Sequence, residues 1–207
     1  MISDLEIARL CSAIYTDTSV FDYIDDGSKT GIFFGIKKLP DNDVIILRGS
    51  VDKEDWLRDF EAVPVFEYGL GYVHEGFNLN LANAHQEING LVRPHPIIGG
   101  HSLGAGRAAL LAGRMAINNN SPSHVVLLGC PRAGCQALIT ATQGVPINSY
   151  KNRLDPVTDV PPSLPTFPCV DIRDFIRVDG MVDYRLGFPW DDHHYDNYLA
   201  GMEKLNG

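Results

Sequence analysis

Residues Gly100-His101-Ser102-Leu103-Gly104 constrain this chain more than any other stretch. The apolar run Pro96-Ile97-Ile98 precedes them, and the small-residue series Ala105-Gly106-Arg107-Ala108-Ala109-Leu110-Leu111 follows. The pattern predicts a short buried strand that turns sharply into a helix, with the serine held at the turn in a strained backbone conformation that leaves room only for glycine nearby. Such a turn keeps the hydroxyl in the open. The helix that starts there aims its unpaired N–H groups at the same spot, ready for negative charge on a substrate oxygen. This is the arrangement of a nucleophile elbow; the plainer alternative is a glycine-rich turn that serves packing alone.

At 207 residues the chain is long enough for one well-buried core, and the expected organisation is a single domain over 1–207. Apolar content of 44% with 21% charged residues gives no compositional case for disorder. A formal net charge of −9 argues against nucleic acid or an anionic membrane surface as a partner, but leaves a neutral lipid interface open. Met1-Ile2-Ser3-Asp4-Leu5-Glu6 carries acids where a secretory signal needs basic residues, and no apolar run reaches the roughly twenty residues of a membrane span. The expectation is a soluble, cytoplasmic protein, with secretion by another route left open. Cys11, Cys130, Cys135 and Cys169 form no C-x-x-C pair and no metal-like group with the histidines, so reduced, buried thiols are expected, with no metal and no cofactor.

Along the chain, Ser3 with Glu6 fits a capping box, and Leu5, Ala8, Cys11 and Ile14 recur at helical spacing, predicting an opening amphipathic helix. Residues 31–36 and 43–47 read as strands around a Leu39-Pro40-Asp41-Asn42 turn. From Glu75, the positions Phe77, Leu81, Ala84, Ile88 and Leu91 mark one helix ending near Asn89-Gly90. After the elbow and a helix to about Met115 come strands at 124–128 and 146–150, a proline-rich loop from Pro161 to Pro168, and a closing helix from Asp192 to Leu205. The predicted fold class is α/β: a mostly parallel central sheet with helices on both faces and antiparallel strands at the start. In such sheets the reactive site lies beyond the carboxyl ends of the strands.

A serine needs a base within hydrogen-bond reach and a third group to orient that base. In elbow enzymes the chain order is serine, acid, histidine. Asp155 follows a predicted strand end and precedes Pro156, which keeps it in a loop at the sheet edge; Asp159, deeper in the loop, is the rival, and a simple turn-capping role is the structural alternative. Only His124, His193 and His194 follow the serine, and His124 begins a strand at the opposite edge. That leaves the pair His193 and His194, expected to open the last helix about 100° apart, so that at most one is the base.

Several separate segments resemble the class 3, or fungal-type, lipases of the α/β-hydrolase superfamily. These are Arg48-Gly49-Ser50 with Asp55-Trp56-Leu57-Arg58-Asp59, Val73-His74-Glu75-Gly76-Phe77, the elbow itself, Gly129-Cys130-Pro131-Arg132-Ala133-Gly134, and Asn152 through Asp155-Pro156-Val157 to Pro161-Pro162. The resemblance implies Ser102 as nucleophile, Asp155 as orienting acid and a histidine of the terminal pair as base. Asp192-His193 with Tyr198 five residues on fits the spacing seen in relatives of bacterial type, which selects His193 and keeps His194 as the alternative. It also implies an oxyanion hole from Ser50 and the Leu103 N–H, and a lid over Val51 to Leu57.

The lid counterpart is strongly charged, with Trp56 its one large apolar anchor, which suits an exposed loop better than a broad lipid flap. Trp56 and Phe77 are candidates for the lid or acyl pocket, although large side chains in loops more often serve packing. The expected function is carboxylic ester hydrolysis through an acyl-enzyme, on a small-molecule ester or lipid. Acyl transfer by the same residues and a catalytically silent binding domain are the alternatives.

Overall fold

The computed structural model describes residues 2–50, 63–182, 187 and 189–207. Helix α1 (Asp4–Thr16) starts with a reciprocal cap: Ser3 Oγ accepts from the Glu6 N–H, and Glu6 Oε2 accepts from the Ser3 N–H at 2.8 Å. Its buried face is Ile7, Ala8, Cys11 and Ile14. Leu5, expected on that face, is only half-buried.

Strands β1 (Tyr23–Asp26), β2 (Phe33–Lys38) and β3 (Asp43–Leu47) pair antiparallel in sequence order. Next come a separate antiparallel pair, β4 (Pro64–Glu67) and β5 (Gly71–His74), and helices α2 (Glu75–Asn78) and α3 (Leu81–Leu91). The chain continues through β6 (Ile97–His101), α4 (Leu103–Ile117), β7 (His124–Leu128), α5 (Gln136–Ala141), β8 (Ile147–Asn152), β9 (Phe175–Val178) and α6 (Tyr195–Asn206). The main sheet has the order β1-β2-β3-β6-β7-β8-β9, and every neighbouring pair from β3 to β9 is parallel. This is the expected α/β arrangement, with its antiparallel strands at the start.

Alternation along the central strands divides the core. Ile45, Leu47, Ile98, Val125 and Leu127 face Ala105, Ala108, Leu111 and Ala112 of α4. Val44, Ile46, Ile97, Val126 and Leu128 face Ile7 and Cys11 of α1 and Tyr198 and Met202 of α6. Each fully buried aliphatic side chain contributes about 1.5–3 kcal/mol. With both faces covered, residues at the strand ends are placed to meet one another beyond the sheet. Residues 48–50, Ser102, Gly129 and Asp155 all follow the carboxyl ends of adjacent strands.

Several expectations are corrected. The helix predicted from Glu75 to Gly90 breaks at Leu79-Asn80, where Asn80 takes φ 63°, a left-handed conformation that asparagine tolerates well. The closing helix does not begin at Asp192: a 3-10 turn over Trp190–His193 precedes α6, and His194 is the N-cap between them. Strands β1, β4, β5 and β9 and helix α5 have no counterpart in the sequence reading. They are short, four residues for each strand and six for the helix, too few to establish a period. All four cysteines are free thiols; Cys135, unlike the other three, is only partly buried. Among the described residues no helix is long and apolar enough to cross a membrane.

Candidate active site

Ser102 stands between β6 and α4 with φ 60° and ψ −129°, a conformation rarely adopted by any residue but glycine. The tight crossing behind it explains the glycine two residues on. A Cβ on Gly104 would overlap the Leu47 carbonyl at the end of β3, so helix α4 can lie this close to the sheet only with glycine there. The Ser102 N–H is anchored to the Leu128 carbonyl at 3.0 Å, which ties the elbow to the end of β7.

From that turn, Ser102 Oγ lies 2.8 Å from His193 Nε2, and His193 Nδ1 lies 2.8 Å from Asp155 Oδ2. All three side chains are buried, at 2%, 2% and 0% exposure respectively, so no water layer separates them. Asp155 is delivered by the turn after β8: its Oδ1 accepts from the Val157 N–H at 2.8 Å while its Oδ2 is left for the histidine. It therefore both caps the turn and meets the imidazole. Burial alone would raise the Asp155 carboxyl. The neighbouring His193, with hydrogen bonds from His193, Tyr198 and the Val157 N–H, outweighs that and holds it below the ordinary value.

An ionised Asp155 accepts only, so His193 carries its proton on Nδ1 and leaves Nε2 free to accept from the serine hydroxyl.

Two further side chains surround the imidazole. Tyr198 of α6, fully buried, donates from Oη to Asp155 Oδ2 at 2.5 Å. His101 stacks on His193 with ring centroids 4.8 Å apart. Its Nε2 lies 2.8 Å from the His193 carbonyl, and because a carbonyl only accepts, that nitrogen is protonated. Gly129, after β7 and at φ +59°, passes close beneath: a Cβ there would come within 2.8 Å of Asp155 Oδ2 and 3.0 Å of the His193 ring. The segment Gly129 to Gly134 stands out in the sequence, but nothing local there points to this role for Gly129. Tyr198 enters the sequence reading only through its spacing from His193.

The loop after β3 runs against Ser102. Gly49 packs so tightly that a Cβ on it would lie 3.1 Å from Ser102 Cβ, and its N–H donates to Tyr15 Oη at 2.9 Å. Arg48 stacks its guanidinium 3.6 Å over the Phe33 ring. Ser50, next in the chain, is half-buried. Leu103 is the first residue of α4, so its N–H has no earlier helical turn to bond.

The remaining candidates are placed elsewhere. The Asp159 carboxylate is 60% exposed and bonds Lys151 Nζ at 2.9 Å. His194 does not open the helix beside His193 but caps α6, its side chain accepting from the Asp196 N–H. His124 Nε2 pairs with Asp4 Oδ1 at 2.7 Å, near the amino end of the sheet. Phe77, a candidate for the acyl pocket, is fully buried against the His74 ring and Gly106 of α4; the space between α2 and α4 is filled by this ring, so it belongs to the core. Trp56 and the expected lid over Val51 to Leu57 lie outside the described residues.

The family profile described as Lipase (class 3) matches residues 44–164. No curated protein sequence matches the chain closely enough to count as a relative. Among solved structures, a triacylglycerol lipase from Penicillium expansum is 20% identical with a TM-score of 0.65, over 86% of this chain and 78% of that one. Rhizomucor miehei triacylglyceride lipase is 16% identical with a TM-score of 0.68, over 96% and 93%. A further triacylglycerol lipase, 17% identical with a TM-score of 0.66 over 96% and 93%, is described as having a serine protease triad as its catalytic centre. With the family profile covering more than half of its length and the fold agreeing, the chain belongs to the class 3 lipases, a family of ester-hydrolysing enzymes.

Proposed function

We propose that the protein hydrolyses carboxylic esters through an acyl-enzyme, with Ser102 as nucleophile, His193 as general base and acid, and Asp155 as the group that orients and stabilises the imidazole. The observation that carries this is the pair of 2.8 Å contacts running from Ser102 Oγ through His193 to Asp155. As Ser102 Oγ attacks the ester carbonyl, its proton passes to His193 Nε2, and the imidazolium forms against an ionised carboxylate already in place. The tetrahedral oxygen takes its negative charge beside the N–H groups of Leu103 and Ser50. Collapse expels the alcohol, which receives the proton from His193. A water, deprotonated by the same nitrogen, then releases the acid.

The substrate class is an ester with an apolar acyl group of short to medium length. Leu154 beside Asp155 and Trp190 in the turn that carries His193 are exposed, giving the segments that bear the acid and the base an apolar surface. Acyl transfer to another alcohol would use the same residues, with the alcohol replacing water.

The test has two arms. A fluorophosphonate probe should label Ser102 in the wild type and leave Ser102→Ala unlabelled; a folded wild-type protein that resists labelling would favour a silent binding domain. Hydrolysis of p-nitrophenyl esters across a chain-length series should peak at short to medium chains without a jump at the critical micelle concentration. A sharp jump there would instead make emulsified lipid the substrate.

A further inference from the structure

Asp192 lies next to the base in sequence, and nothing in the chemistry above uses it. Its side chain is fully buried. It accepts two hydrogen bonds from the segment that carries the acid: from Arg153 Nε to Oδ1 at 2.9 Å, and from the Leu154 N–H to Oδ2 at 3.1 Å. The contact between Asp192 and Leu154 is therefore one residue before the contact between His193 and Asp155 on both strands of chain, so the two form successive rungs between the same segments. Arg153 sits at φ 42°, in the left-handed region, and the turn it makes lets its own Nε and the following N–H reach one carboxylate. The other Arg153 arm holds Asp179 Oδ1 at 2.9 Å.

The peptide carbonyls of the same turn are also held. Asn197 Nδ2 donates to Asp191 O at 2.6 Å, Asn152 Nδ2 to Asp192 O at 3.0 Å, and His101 sits on His193 O at 2.8 Å. Of these contacts, the Asn152 amide joins the base-bearing turn to the end of β8, and the Asp192 carboxylate joins it to Arg153 and Leu154, the two residues before Asp155. The Asp155 contact and the stacked His101 ring orient the imidazole, but its position follows the backbone that carries it, and small misplacement of a base costs a large share of its rate. A second, charge-assisted rung one residue away fixes that backbone against the segment that carries Asp155.

We propose that Asp192 and Arg153 are positioning residues that fix the His193 imidazole against Asp155 and so set its reach to Ser102. This rests on the triad reading above.

The experiment compares wild type, Ser102→Ala, Asp192→Ala and Arg153→Gln, using p-nitrophenyl butyrate kinetics, fluorophosphonate labelling, circular dichroism and the downfield proton resonance of the His193 Nδ1–H. Asp192→Ala should lower kcat about 30- to 100-fold with KM changed less than about threefold, and should broaden or abolish the downfield resonance while the protein remains folded. Arg153→Gln, altering a side chain 38% exposed, should fold normally and lower kcat about tenfold with the same unchanged KM. Kinetics and resonance like the wild type in a folded Asp192→Ala would overturn the proposal. If Asp192→Ala fails to fold, Arg153→Gln decides: wild-type kcat and resonance there overturn it. Labelling and activity that survive in Ser102→Ala would instead sink the triad reading, and this proposal with it.

Discussion

Asp155→Asn isolates the tautomer argument, because it keeps the shape of the side chain and changes only which atoms donate. Three donors converge on the two oxygens of Asp155: the His193 Nδ1–H and Tyr198 Oη–H on Oδ2, and the Val157 N–H on Oδ1. Asparagine offers one acceptor oxygen and an NH₂ group. If the oxygen stays toward Val157, the NH₂ faces His193, which can accept it only by moving its own proton to Nε2. That places a donor against Ser102 Oγ and removes the base. If the amide flips, its N–H groups face the Val157 N–H in a fully buried site, an unsatisfied contact that costs about 1–3 kcal/mol, so the first orientation is preferred.

Loss of the correct tautomer should lower kcat about 10⁴-fold, or about 5.5 kcal/mol of transition-state stabilisation. The assay is steady-state hydrolysis of p-nitrophenyl butyrate at neutral pH, with thermal melting followed in parallel to show that the fold persists. A kcat within tenfold of wild type in a normally melting protein would refute the reasoning.

Other consequences are equally direct. Tyr198→Phe removes one charge-assisted donor from a buried carboxylate and should lower the free energy of unfolding by about 1.5–3 kcal/mol in urea titrations; a loss below about 0.5 kcal/mol would contradict it. Asp43 is fully buried and bonded by Arg93 and Lys38; burial alone would raise its carboxyl, but these bonds outweigh that and hold it at about 2, against 3.8 when unfolded. A folded value below the unfolded one stabilises the protein above pH ~3.8 and is lost as pH falls toward 2. The difference corresponds to about 2.4 kcal/mol, reduced to about 1–2 because Arg93 and Lys38 are nearly half exposed and screened. Urea titrations between pH 7 and pH 2.5 should therefore show wild type losing more stability than Asp43→Asn by about two-thirds of that amount, and parallel curves would dismiss the idea. Gly104→Ala should cost about 3 kcal/mol or more, because its Cβ meets the Leu47 backbone carbonyl and no rotamer relieves the overlap; Gly144→Ala, in open space, should stay within about 0.5 kcal/mol. Equal melting temperatures for the two would remove the close-packing explanation of the elbow.

The legible parts of the molecule were those where a local rule and the global fold agree. Ser3 and Glu6 cap a helix by contacts three residues apart, and the apolar runs at 43–47, 97–98 and 124–128 are marked by burial on both faces of a parallel sheet. The less legible parts lie where partners are distant. The one helix expected after Glu75 is two, because Asn80 accepts a left-handed turn that lets Phe77 pack under α4, and no local spacing signals that preference. Tyr198 carries the spacing that distinguished His193, yet its hydroxyl partner lies 43 residues away on another strand end.

Sequence alone marked the elbow and the alternation of strand and helix that makes the sheet parallel from β3 onward, since these are local patterns, and it offered a serine, an acid and a histidine in that order along the chain. The spacing of His193 and Tyr198 favoured His193 and left His194 open; the tertiary structure brings the His193 ring, and not that of His194, to Ser102. His193 and His194 are chemically identical neighbours, and the choice between them is made by a 3-10 turn whose carbonyls and Asp192 carboxylate are held by Asn152, Arg153 and Asn197, so that one ring enters the buried site and the other caps a helix. Hydrogen bonds between segments about 40 residues apart leave no periodic trace in a chain, because their geometry exists only once the sheet has brought the strand ends together.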